Sequence, residues 1–176
     1  LKVKGVNVSG GSWASGGSLN TARGPAGAAG SGTLTSGLCI SLTVPVTNVE
    51  EYDGSTWTEI ADVNAGRYDG AGVGAVAPAS LFITGNTPSG NPANTESYNG
   101  TNWTEVNDLN TGRYNASSFG TQTSAILGGG YVTGVNSAIE SWNGTSWTEI
   151  AELNNSRADS ARTGVSNTSG LFAGGY

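Results

Sequence analysis

The chain has 176 residues, of which 36% are hydrophobic and 29 are glycine, so it is long enough to bury a core as one domain and is rich in turns. Its formal charge of -6 and its seven Lys and Arg residues argue against a nucleic-acid partner, because phosphate recognition needs clustered positive charge. No apolar run approaches the roughly 20 residues of a membrane span, so we expect no membrane insertion. The first residue is Leu1, not Met, which indicates a processed chain or a piece of a longer polypeptide.

A tryptophan recurs along the chain at nearly constant spacing. The four copies lie 44, 46 and 44 residues apart, and an arginine follows each of them by ten residues. The tryptophans are Trp13, Trp57, Trp103 and Trp147, and the arginines are Arg23, Arg67, Arg113 and Arg157. Strand-forming repeats of about 40 to 50 residues are typical of β-propeller blades. Because both residues occur in every copy, we interpret them as structural residues of the repeat.

Turn-forming residues divide each repeat into four short strands, which we name a to d in chain order. In the second complete repeat, strand a follows Arg67 over residues 71–77, and strand b is the apolar run 81–83. Strand c carries the Glu-x-aromatic sequence of residues 96–98, and strand d begins at Trp103. We expect the b strands to be buried, including the run 171–173 in the last repeat.

A tight hairpin is predicted between strands c and d. The dipeptides there are Asp53-Gly54, Asn99-Gly100 and Asn143-Gly144, which favour the positive φ angles of a type I′ turn. Such a hairpin would bring the aromatic residue at the end of strand c next to the tryptophan of strand d. A ring pair of this kind contributes roughly 0.5 to 1 kcal/mol beyond burial.

The repeat boundaries predict one all-β domain over residues 1–176. Residues 1–22 match strands c and d only, and residues 157–176 match strands a and b only. Between them lie three complete repeats, at residues 23–66, 67–112 and 113–156. The two partial repeats would together complete a fourth blade and close a four-bladed ring without free sheet edges. A sector of a larger or oligomeric propeller is the alternative that the pattern leaves open.

The repeat resembles the kelch repeat. It has paired glycines after strand b at residues 128–130 and 174–175, then an aromatic residue (Tyr52, Tyr98, Trp142), then the tryptophan of strand d. The segments 141–149 and 120–125 are also similar to kelch-like repeat proteins of marine bacteriophages. This resemblance implies a kelch-like β-propeller with four antiparallel strands in each blade. It also implies a place on the virion exterior, as a tail fibre, decoration or attachment protein.

Two kinds of residue that enzymes commonly use for catalysis give no unique site here: histidine is missing, and the carboxylates recur at the same positions in three repeats. Histidine is absent, so Ser-His and Cys-His nucleophiles, His-ligated zinc and the copper site of oxidase-type kelch enzymes lack a needed group. Carboxylates recur two and five residues after the tryptophan, whereas a catalytic pair is normally unique. We expect these six to be exposed on outer strands: Glu59, Asp62, Glu105, Asp108, Glu149 and Glu152. Cys39 stands in an apolar run and is interpreted as a buried small hydrophobe. We therefore predict a protein with no catalytic residue, metal site or cofactor.

Strand alternation places the b–c and d–a connections on one face of the repeat array. An Asn-x-x-Arg sequence precedes each strand a, and we interpret the asparagine as a turn cap and the arginine as a partner for an acid or carbonyls of a neighbouring blade. Ligand contact is assigned to the irregular b–c loops and nearby tyrosines. The candidate binding residues are Gly85, Asn86, Asn91, Asn94, Tyr68, Tyr114 and Tyr131.

These observations predict a non-enzymatic module on the virion exterior that contacts host-surface glycan or protein through this loop face. Its other expected partners are virion subunits and further copies of the chain. A purely structural assembly or spacer disc is the alternative, and a glycan-cleaving enzyme with a carboxylate pair is less favoured.

Overall fold

The computed structural model describes residues 17–22, 29–33, 35–40 and 45–176, and within them the protein is all-β. Every strand pairing is antiparallel, and the strands form three sheets of four strands and one sheet of two. No helix in this part of the chain could span a membrane. Trp13 and Arg23 lie outside the described residues, as does most of the partial repeat predicted at residues 1–22.

Each sheet follows chain order from its first strand to its last. The first sheet contains β1 (Ala29–Thr33), β2 (Ser36–Ile40), β3 (Val49–Tyr52) and β4 (Trp57–Ile60). The second contains β5 (Ala71–Gly74), β6 (Ser80–Ile83), β7 (Thr95–Tyr98) and β8 (Trp103–Val106). The third contains β9 (Ser117–Thr121), β10 (Ser124–Gly128), β11 (Ala138–Trp142) and β12 (Trp147–Glu152). The fourth contains β13 (Ala161–Ser166) and β14 (Ser169–Ala173).

The first strands of successive sheets lie side by side. β1 contacts β5, β5 contacts β9, and β9 contacts β13, while β4, β8 and β12 form the opposite edges of their sheets. All four first strands line one cavity of about 330 Å³, to which they contribute Gly32, Gly72, Ser118 and Arg162 among others. The sheets therefore meet along their first strands.

The second strands form most of the core. Leu81, Phe82 and Ile83 of β6 are at most 1% exposed, because β6 is paired on both edges and packed between sheets. Cys39 of β2 is also buried, as predicted. The prediction is wrong for β14, where Leu171 is 61% exposed. Among the described strands β14 pairs only with β13, so its second edge and much of its surface lack cover.

The aromatic pairs of the c–d hairpins are confirmed. The ring centroids of Tyr52 and Trp57 are 5.0 Å apart, and the equivalent pairs Tyr98–Trp103 and Trp142–Trp147 lie at 5.0 and 5.3 Å. In each hairpin the two aromatic residues stand directly opposite each other in the strand register. The rings therefore cover the end of each sheet where the two strands turn.

The predicted type I′ geometry of these hairpins is wrong. Four residues separate the paired aromatics, and in the first hairpin Gly54 has a positive φ of 100° whereas Asp53 does not. The Asp53 Oδ1 accepts hydrogen bonds from the N–H groups of Ser55 and Thr56, both at 2.8 Å. Asn99 and Asn143 accept equivalent bonds in the other two hairpins. The turn is thus held by hydrogen bonds to the Asp or Asn side chain, and that residue does not need the positive φ of a type I′ turn.

Acid should weaken the first hairpin more than the other two. The bonds from Thr56 and Ser55 hold the pKa of Asp53 well below its ordinary value of 3.8. A depressed folded-state pKa adds stability that is present above 3.8 and is lost as the pH falls below it. We expect Asp53→Asn, which keeps the acceptor, to reduce the loss of melting temperature between neutral pH and about pH 2. The control is Glu149→Gln, an exposed carboxylate on β12. Equal pH dependence of wild type and Asp53→Asn would contradict this account.

Candidate functional site

A buried glutamate in the third strand of each four-stranded sheet binds the connection that leads into that sheet. In the second sheet, Asn64 donates to the Glu96 Oε2 from its backbone N at 2.6 Å and from Nδ2 at 2.8 Å. The Arg67 Nη1 donates to the Glu96 Oε1 at 2.9 Å. Asn64 Nδ2 also donates to the Trp103 carbonyl at 3.2 Å. The connection is thereby tied to strands c and d of the sheet that follows it.

The third sheet contains the same arrangement, and the first sheet contains its asparagine–glutamate part, with Arg23 outside the described residues. Asn110 donates to the Glu140 Oε2 from N at 2.8 Å and from Nδ2 at 2.9 Å, and the Arg113 Nη2 donates to Glu140 Oε1. In the first sheet, Asn20 donates to the Glu50 Oε2 from N at 2.7 Å and from Nδ2 at 3.1 Å. The three glutamates are fully buried, as are Arg67 and Arg113. We call this set of asparagine, arginine and glutamate the carboxylate clamp.

The arginines of the clamp are held on several sides. The Arg67 Nε donates to the Thr84 carbonyl at 2.8 Å, and its guanidinium lies 4.3 Å from the centre of the Phe82 ring. Burial lowers the pKa of Arg67, and the charge of Glu96 opposes that shift. The prediction placed such partners in a neighbouring blade, whereas these side-chain partners belong to the arginine's own repeat. Only strands a and b of one sheet separate Arg67 from Glu96 in the sequence, and Glu96 lies in strand c of that same sheet.

The backbone carbonyls of two repeat arginines, Arg113 and Arg157, also join neighbouring repeats. The Gly85 N–H donates to the Arg113 carbonyl at 3.0 Å, and the Gly130 N–H donates to the Arg157 carbonyl at 2.9 Å. Gly85 is buried and has a positive φ of 129°. A side chain there would lie 2.9 Å from the Tyr68 carbonyl. This predicted binding residue therefore stands at a junction between two sheets.

The b–c and d–a connections do lie on one face. Tyr68 and Asn86 exchange backbone hydrogen bonds of 3.0 and 2.7 Å, and Tyr114 and Tyr131 do the same at 3.1 and 2.8 Å. We call the surface formed by residues 61–70, 84–94, 107–116, 129–137, 153–160 and 174–176 the loop face. Tyr68, Asn86, Tyr114 and Tyr131 are all partly exposed on it.

The remaining candidates on the b–c loop also hold the loop itself. The Asn91 Nδ2 donates to the Val132 carbonyl of the next b–c loop at 3.1 Å. The Asn94 carbonyl accepts from the Thr84 N–H at 2.8 Å, and Asn94 is partly exposed. Asn91 thus links two loops of the loop face, and Asn94 closes the base of its own loop.

Three tyrosines form a row across the loop face. The rings of Tyr114 and Tyr131 stack with centroids 5.2 Å apart and planes inclined by 20°, and Tyr176 lies 6.3 Å from Tyr131. Tyr176 is 69% exposed. Tyr176 was not among the candidates predicted from the sequence, although it follows paired glycines as Tyr131 does.

A polar rim lies beside the tyrosines. Asp69, Asn115 and Asp159 each follow the repeat arginine by two residues and have left-handed φ angles of 54°, 52° and 51°. The Asn115 N–H donates to the Asp69 carbonyl at 2.9 Å, and the Asp159 N–H donates to the Asn115 carbonyl at 3.1 Å. The three residues therefore stand next to one another across three repeats. These three residues were not predicted from the sequence, although an Asp or Asn recurs at this position in three repeats.

Two groups at the polar rim, the Asp69 carboxyl and the Tyr176 hydroxyl, have raised pKa values. Burial raises the pKa of Asp69, and the nearby charge of Asp159 adds to the shift. The Tyr176 hydroxyl donates to the Asp159 Oδ2 at 2.9 Å, and this bond helps raise the pKa of Tyr176 to about 12. The rim thus carries negative charge beside aromatic rings.

The outer-strand carboxylates are exposed, as predicted. All six, Glu59, Asp62, Glu105, Asp108, Glu149 and Glu152, lie on or just after the fourth strands. Within the described residues no three His, Cys, Asp or Glu side chains group as metal ligands. The chain matches no protein-family model and no curated protein.

Removing one partner of the carboxylate clamp should destabilise the protein strongly. Glu96→Gln keeps the side-chain shape but leaves the buried Arg67 charge without its counter-charge, so we expect a loss of about 3 to 5 kcal/mol in the free energy of unfolding. Glu105→Gln, an exposed change in the same sheet, should stay within about 0.5 kcal/mol of wild type. Urea unfolding followed by tryptophan fluorescence measures both. Similar losses in the two variants would show that the clamp is not a stabilising element.

Proposed function

We propose that the protein is a kelch-like β-propeller, or a sector of one, that acts as a non-enzymatic binding module. Four antiparallel sheets that meet along their first strands around a common cavity support a radial arrangement of blades. The proposal allows either a four-bladed ring closed by residues 1–22 or a sector of a larger propeller. The absence of histidine and the exposed, repeated carboxylates support a binding role over catalysis.

The observation that carries the proposal is the tyrosine row beside the polar rim on the loop face. Sugar rings present apolar C–H surfaces that pack on aromatic rings, and hydroxyl groups that pair with carboxylates and amides. Tyr114, Tyr131 and Tyr176 offer the first kind of contact, and the rim residues offer the second. We infer a host-surface glycan as the ligand of this face.

Charge narrows the ligand class. Asp69 and Asp159 lie on the same face, and the whole chain carries a formal charge of -6. A negatively charged surface repels acidic polymers at long range. A neutral glycan is therefore a better ligand for the loop face than an acidic polysaccharide.

The proposed location is the virion exterior, as a tail-fibre, decoration or attachment module of a bacteriophage. The support for this location is the sequence resemblance to kelch-like proteins of marine bacteriophages. An attachment module needs binding loops held by a rigid scaffold. The loop face has this organisation, because its irregular loops connect the strands of buried sheets.

Binding to a panel of neutral and acidic glycans tests the proposal. We expect Tyr131→Ala and Tyr114→Ala each to weaken glycan affinity about three- to tenfold, the range of one lost ring contact. The matched control is Thr101→Ala, in an exposed c–d hairpin at the other end of the second sheet, which should leave affinity unchanged.

Two outcomes would contradict the proposal. One is the absence of glycan binding by the wild-type chain across the panel. The other is an equal effect of Thr101→Ala and Tyr131→Ala. Particles that fail to assemble when the loop-face tyrosines are replaced would favour the assembly-disc alternative.

A further inference from the structure

The fourth Asn-x-x-Arg sequence has the donors of a carboxylate clamp without a carboxylate. The Arg157 Nη1 donates to the Gly174 carbonyl at 2.9 Å, at the position where the Arg67 Nε donates to the Thr84 carbonyl. Neither Arg157 nor Asn154 bonds a carboxylate within the described residues, and Asn154 is exposed. In the three four-stranded sheets the equivalent asparagine always donates to a glutamate.

Among the described strands none pairs with the outer edge of β14, where the strand that carries this glutamate would lie. In the second sheet, β7 pairs with the outer edge of β6 and covers it. Leu81 of β6 is 1% exposed, whereas Leu171, its equivalent on β14, is 61% exposed. An apolar strand such as β14, whose outer edge has no partner in the described part of the chain, is a template for a further strand.

The register of that further strand follows from the other sheets. The clamp glutamates Glu50, Glu96 and Glu140 stand opposite Cys39, Phe82 and Leu127 in the second strands. Phe172 occupies the same place in β14, since it pairs with the second residue of β13 as Phe82 pairs with the second residue of β5. A glutamate opposite Phe172 would reach the same donors as its counterparts.

We propose that β14 binds a β-hairpin whose first strand carries a glutamate opposite Phe172 and an aromatic residue two positions later. The glutamate accepts hydrogen bonds from Asn154 and Arg157, and the strand adds to the open edge of β14. The partner is thus a further c–d hairpin of this same repeat type. The site is a sheet edge and an ion pair, so it goes beyond glycan binding and does not depend on it.

The chain's own N-terminal partial repeat lacks the required acid. Residues 1–22 contain no Asp or Glu. Val6 stands seven residues before Trp13, where the other repeats have the clamp glutamate seven residues before their tryptophan. A valine side chain can neither neutralise Arg157 nor accept a hydrogen bond from Asn154. Charge complementarity therefore favours a glutamate-bearing hairpin over residues 1–16 as the occupant of this edge.

A peptide of residues 138–152 provides the probe, because it contains the β11–β12 hairpin with Glu140. Fluorescence anisotropy measures its binding to the full 176-residue chain and compares it with the Glu140→Gln peptide. We expect the glutamine peptide to bind at least about tenfold more weakly, the effect of losing one partner of a buried charged pair. Arg157→Ala in the chain should abolish the difference between the two peptides. Melting temperatures of wild type and Arg157→Ala verify that the variant is folded.

Hydrogen exchange locates the bound peptide. Protection of the backbone amides of residues 169–173 is expected on binding, because they would join a new strand ladder. Absence of peptide binding, or equal binding of the two peptides, would overturn the proposal. Binding that occurs only after deletion of residues 1–16, without preference for glutamate, would overturn it too, since the N-terminal segment would then be the occupant.

Discussion

The buried glutamate of the third strand is the constraint around which each sheet is arranged. A carboxylate removed from water is unfavourable unless its oxygens are fully hydrogen bonded and its charge is compensated. Glu96 meets both conditions with the backbone and amide of Asn64 and the guanidinium of Arg67. Those donors arrive on the connection from the previous sheet. The need to satisfy one side chain thus fixes where two sheets lie relative to each other.

The exit from strand b completes this junction. After β10 the chain passes through Gly129 and Gly130, with φ angles of 67° and 88°. A Cβ on Gly130 would lie 2.7 Å from the Tyr114 carbonyl, so the close approach of these two segments requires glycine. The turn directs the Gly130 N–H at the Arg157 carbonyl. Arg157 therefore bonds its own sheet through its guanidinium, which donates to the Gly174 carbonyl, and the preceding sheet through its backbone carbonyl.

Local sequence was sufficient for the features that depend on neighbours in the chain. Strand positions, the pairs such as Tyr98–Trp103 and the shared face of the loops follow from turn residues and strand alternation. The clamp was not predicted, because Arg67 and Glu96 are 29 residues apart and spacing does not reveal which atoms meet. The type I′ assignment failed because Asp53 bonds its own turn through the side chain. The exposure of β14 was missed because burial depends on what covers a strand, and its sequence resembles that of the buried β6.

In the second and third sheets the ion pair gives the strands a unique register, which their apolar residues cannot provide. The backbone of a short apolar second strand can pair with a neighbouring strand in more than one register. A slip of one residue would turn the clamp glutamate to the opposite face of the sheet. A slip of two residues would keep the face but move the carboxylate by roughly 6.6 Å, beyond hydrogen-bonding distance of the arginine. Since an uncompensated buried charge is destabilised by several kcal/mol, only the aligned register satisfies Arg67 and Glu96 together. Repeated short strands of similar composition can therefore pair without ambiguity.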